Sequence, residues 1–160
     1  MKKNRKNNTV WTFPYRKKYY ITHPWKWFSQ FGRNIRSTYM RAKYGWAYSD
    51  VWNWDVWFAY TVPSMLRHMA DYGCAYPGYE PFETPEKWHD WLHNIADMIE
   101  TSTEEWQDEH NEYCEEYTNT WDKELGKKYF ARAEELRAQG DRNIRYALGQ
   151  IAEHFYNLWD

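Results

Sequence analysis

The 160-residue chain is long enough for one domain burying roughly 70% of its unfolded surface. Its 12 Trp, 15 Tyr and 7 Phe exceed what such a core encloses, so rings are expected to line a groove or face a partner. The net charge of -2 hides a polarity: 12 Lys and Arg and no acid precede Asp50, and from there 9 Lys and Arg stand against 23 acids. Cys74 and Cys114 are too few for a disulfide framework or a paired-cysteine zinc site.

In chain order, "MKKNRKNNTV" is basic and polar, and "WTFPYRKKYYITHP" is rich in β-formers but too short for a sheet. Residues 1–23 are therefore expected to form a disordered or extended arm. No apolar run follows the basic start, so no signal peptide is expected. Pro24 suits the first position of a helix that stops at Gly45. At 100° per residue, Trp27, Phe28, Phe31, Ile35, Tyr39 and Ala42 share one side, and Lys26, Arg33, Arg36 and Lys43 the other. The ring-rich side is assigned to the core, which sets membrane-surface binding aside.

Ser49 is placed as the cap of a second helix whose apolar stripe is Val51, Trp54, Phe58, Val62, Met65 and Met69, kinked at Pro63 and ended by Gly73. A Pro/Gly/aromatic loop follows. Thr84-Pro85 opens a third helix with Trp88, Trp91, Leu92, Ile95 and Ile99 inward. Ser102 or Thr103 caps a long acidic fourth helix with Trp106, Tyr113, Tyr117 and Trp121 as its stripe, interrupted at Gly126. A further segment reaches Gly140, and a last helix from Asp141 turns Ile144, Leu148, Ile151, Phe155 and Leu158 inward. The expected fold is all-α: residues 24–160 as a single domain, a compact bundle of five or six helices, behind the extended N-terminal arm.

Catalytic signatures are missing from this pattern. The chain has no GxSxG, phosphate-binding loop, dinucleotide fingerprint or kinase signature. His89, His93 and Asp97 recur at i, i+4 and i+8, but opposite the Trp/Leu/Ile stripe, on a solvated face. No metal, cofactor or catalytic residue is assigned. Asp55 stands where the helical wheel puts a hydrophobe, and a buried carboxylate needs a partner. Two readings stay open: an ion pair with Arg33, Arg36 or Arg41, or a carboxylate that orients a ligand-binding arginine.

The densest chemistry runs from Arg33 to Trp57, where cations alternate with flat rings. Arg33, Arg36, Arg41 and Lys43 are placed to hold phosphates, Tyr39, Trp46, Tyr48 and Trp52 to stack on bases, and Asp55 to brace an arginine. A cation–π-rich core seam has the same composition.

The segments "GRNIRSTYMRAKYGWAYSDVWNWDVWFAYTVPSMLRHMAD", "YPG", "PFETPEKWHDWLHNIAD" and "EHFYNLWD", in that order, resemble a widespread set of small bacteriophage proteins. The likeness covers residues 24–160. Where that family has Arg-Gly-Tyr, this chain has Tyr44-Gly45-Trp46-Ala47-Tyr48, a longer and more aromatic turn. The resemblance implies a phage origin and expression in the cytoplasm of an infected bacterium, and by analogy a counter-defence role. The expected function is thus non-enzymatic sequestration of a nucleotide second messenger, a cyclic oligonucleotide or an ADP-ribose derivative. The alternatives are direct inhibition of a host defence protein and, ranked third, nucleic-acid binding through the basic half. No membrane partner is expected, and the surplus rings leave material for a homo-oligomer.

Overall fold

The computed structural model describes residues 21–158. All but the last three residues of the expected arm, 1–23, lie outside that range. The chain divides into two compact units, residues 1–57 and 58–160. Among the described residues both are helical, with no strand, as the periodicity predicts.

In the first unit, α1 spans Pro24–Tyr44 with Pro24 in its first turn. It stops where Gly45 takes a left-handed backbone (φ 78°), and the Gly45 N–H closes on the Arg41 carbonyl at 2.9 Å. A short α2, Tyr48–Trp52, follows, and Asn53 (φ -123°, ψ 59°) separates it from α3, Trp54–Tyr72. The expected single helix with a kink at Pro63 is therefore two helices with a break at Asn53. Pro63 is buried inside α3 and does not end it.

The orientation of α1 also corrects the sequence reading. Its buried residues are Gln30 and Asn34, joined by a hydrogen bond from Gln30 Nε2 to Asn34 Oδ1 at 3.2 Å. Trp27, Phe28, Ile35 and Tyr39, assigned to the core, are exposed. Periodicity separates the two faces of a helix, but the rest of the fold decides which face is enclosed.

The second unit packs around α4, Pro85–Glu100. Thr84 caps it, accepting from the Lys87 N–H at 3.4 Å, and Pro85 stands in the first turn as predicted. Trp88, Leu92, Ile95, Ala96 and Ile99 are buried against Ala59, Leu66 and Ala70 of α3, with Phe82 and Ala147. Of the predicted stripe, Phe58, Val62 and Met69 pack half-buried against this core, whereas Val51, Trp54 and Met65 are exposed. The Trp88 and Trp91 rings stack at 4.9 Å, with Phe82 edge-on to both and His154 edge-on to Trp91. Arg67 ties α3 to α4, donating to Glu100 at 2.6 Å and Asp97 at 2.5 Å.

The expected long acidic helix is two short ones, α5 (Glu104–Glu109) and α6 (Cys114–Thr120). Thr103 caps α5, and buried Asn111 makes the turn between them, accepting from the Tyr113 N–H and donating to the Tyr129 carbonyl. Asp122 then caps α7, which runs unbroken from Lys123 to Glu153. Gly126 and Gly140, read as stops, lie inside it as contact points. A Cβ at Gly126 would meet the Tyr117 ring at 2.9 Å, and one at Gly140 the Thr101 carbonyl at 2.7 Å. Ile144, Ala147, Ile151 and Leu158 face the core, whereas Leu148 and Phe155 are exposed, against expectation.

Candidate functional site

The turn from α1 to α2 is held by an ion pair between half-buried Arg41 and buried Asp50. Asp50 is only 6% exposed. Its Oδ2 accepts from Arg41 Nε at 2.8 Å and from the Ala47 N–H at 2.8 Å, and its Oδ1 accepts from Arg41 Nη2 and from Ser49 Oγ. Burial pushes the Asp50 carboxyl up, but the Arg41, Ala47 and Ser49 contacts outweigh it and hold the group below the usual aspartate value. The clamp therefore joins the last turn of α1 to the first turn of α2, and it fixes the three residues between them, Gly45, Trp46 and Ala47.

Asp50, rather than Asp55, is the braced carboxylate. Asp55 is exposed, and among the described residues it takes no ion pair. The helical wheel that places Asp55 inside treats α2 and α3 as one helix, and the break at Asn53 invalidates that register. The signal for Asp50 was local: an acid in the first turn of a helix, three residues past the cap, can reach back to a free backbone N–H. The sequence reading had set Ser49 at the cap, but Ala47 occupies it.

Beside the clamp lies an open groove of about 750 Å³, lined by Arg33, Arg36, Ser37 and Met40 of α1 and by Trp46, Tyr48, Ser49, Trp52 and Asn53. Five of the nine proposed site residues line it: Arg33, Arg36, Trp46, Tyr48 and Trp52. No acid is among the lining residues. The Arg33 guanidinium is steadied by neutral groups, Gln30 Oε1 at 2.5 Å from Nη2 and Ser29 Oγ at 3.0 Å from Nη1, so its charge is not cancelled there. Arg36 is exposed and, among the described residues, makes no ion pair or hydrogen bond.

The other four proposed residues are elsewhere. Arg41 is committed to Asp50, and Asp55 is not on the lining. Lys43 lies over the Tyr39 and Tyr44 rings, 5.8 and 5.1 Å from their centroids, and neither Lys43 nor Tyr39 reaches the groove. Ser37, Met40, Ser49 and Asn53 are lining residues that sequence reasoning missed, because small polar side chains and a lone Met carry no motif.

Elsewhere several titratable groups are engaged structurally. His93 pairs with Asp71 at 3.1 Å and Asp97 with Arg67, so the i, i+4, i+8 set is divided between separate partners. The Cys114 thiol is pushed up by burial and by Asp108, which keeps it protonated and a poor nucleophile at neutral pH. No protein-family model, curated protein or solved structure matches the chain.

Proposed function

We propose that the groove binds a nucleotide-type ligand, with phosphate on Arg36 and Arg33 and a base against Trp46, Tyr48 or Trp52. The supporting observation is the pairing of an unengaged guanidinium with three rings along a groove that holds no carboxylate. A phosphate needs charge-assisted donors and a base needs flat apolar surface, and both are within one groove here. Its volume falls in the usual range for small-molecule sites. Arg41 and Asp50 act behind the groove, holding the turn that carries Trp46.

The role that fits this site is capture without chemistry. Together with the likeness to small phage proteins, it supports sequestration of a cyclic oligonucleotide or ADP-ribose-type immune signal inside an infected bacterium. Calorimetric titration with cyclic dinucleotides, cyclic trinucleotides and ADP-ribose derivatives tests the reading. Saturable binding of one ligand class is expected, and silence across the panel overturns it.

A further inference from the structure

The ring-bearing side of α1 is not used by the groove. Phe28, Ile35, Tyr39 and Ala42 fall within a sector of about 60° around the helix. Phe28 is 67%, Ile35 49% and Tyr39 58% exposed. Trp25 and Trp27, near the helix start, are exposed as well. The enclosed side instead carries Gln30 and Asn34. A helix of 21 residues is about 30 Å long, and Phe28, Ile35, Tyr39 and Ala42 form an exposed row along one face of it. Contiguous apolar exposure of this kind marks an interaction surface.

Charge selects the occupant. Within α1 there are five cations, Lys26, Arg33, Arg36, Arg41 and Lys43, and no acid. All 12 Lys and Arg ahead of Asp50 lack an acidic neighbour in sequence. The chain's own basic start, or α1 of a second copy, would set cation against cation on this face. An occupant that is anionic outside and apolar beneath complements this face, and a membrane with anionic headgroups is both.

We propose that α1 lies in the plane of an anionic membrane surface, with its ring row directed toward the acyl chains. Lys43, on the border of the row, then stands at phosphate level, and the Trp and Tyr rings occupy the headgroup boundary that suits such side chains. An amphipathic helix alone anchors weakly; the basic residues ahead of Asp50 supply the second, electrostatic signal. Among the described residues no helix is long and apolar enough to cross a membrane, so the attachment is in-plane.

The test is co-sedimentation of the full chain with vesicles of phosphatidylcholine alone, and of phosphatidylcholine and phosphatidylglycerol in equal parts. The protein is expected to pellet with the second and not the first, and raised salt is expected to weaken it. Phe28→Ser with Ile35→Ser is expected to reduce binding by about tenfold or more, with the melting curve kept because both side chains are exposed. Wild-type protein left in the supernatant with both vesicle types overturns the proposal, and so does a double variant that pellets like wild type. Protein that ignores vesicles but dimerises through α1, or binds an acidic amphipathic peptide, overturns it in favour of a protein partner. Neither substitution touches a groove residue, so the lipid result is independent of the nucleotide reading.

Discussion

Asp50 and Asp55 are five residues apart and have opposite environments. Asp50 is buried with Arg41, the Ala47 N–H and Ser49 as partners, whereas Asp55 faces solvent. Asp50→Asn keeps the shape and removes the charge, and it should cost about 2 kcal/mol because it leaves the Arg41 guanidinium without its anion. Asp55→Asn should stay within about 0.5 kcal/mol. Thermal unfolding of the two variants checks the contrast, and equal losses would contradict it. The pH dependence follows from the same contacts. The Asp50 carboxyl is held below its ordinary value in the folded chain, so its contribution is complete above about pH 4 and is lost as pH falls through the lower, folded value. A carboxyl-carbon NMR titration should place its midpoint below 3.8, the ordinary value; a midpoint above it would mean that burial outweighs the clamp. That a cation and an acid would pair near this turn was legible in the sequence. Which acid was not, because the choice depends on a helix break at Asn53 that only the folded chain reveals.

At the scale of elements, the helix ends set by nearby backbone hydrogen bonds were legible, and the glycines inside α7 were not. Thr84-Pro85, Thr103 and Gly45 act through backbone hydrogen bonds a few residues away, so local sequence suffices to place them. Gly126 and Gly140 have the same composition signal as a stop, yet α7 passes through both. Their purpose is close approach to another element, which one segment of sequence cannot disclose. The two sites should respond differently to Ala. At Gly140 the new Cβ would meet the Thr101 backbone carbonyl at 2.7 Å, which cannot swing aside. Gly140→Ala should therefore destabilise by about 1–2 kcal/mol, after the gain in helix propensity is set against the overpacking. At Gly126 the obstacle is the edge of the Tyr117 side chain, which can turn, so Gly126→Ala should be milder. Chemical denaturation of both variants tests the order. A Gly140→Ala protein as stable as wild type would show that α7 does not need that approach.

For the whole molecule, the charge division counted along the sequence coincides with the structural one. The first unit has 12 Lys and Arg against Asp50 and Asp55, and the second has 9 against 21 acids. The first unit also carries the groove and the ring row of α1, the features best suited to anionic ligands and surfaces. The all-α class was legible because 3.6-residue periodicity recurs in nearly every segment. The exposure of α1's rings was not, since composition counts aromatics without saying what covers them. The central claim is that Arg36, with the rings of Trp46, Tyr48 and Trp52, forms one ligand site. The most direct measurement is calorimetric titration of wild-type protein and of Arg36→Ala with the nucleotide that binds best in the panel. The account predicts saturable binding by wild type and a loss of about tenfold or more in the variant, the usual worth of a charge-assisted hydrogen bond. Equal affinity in the two proteins, or heat from neither, would contradict it.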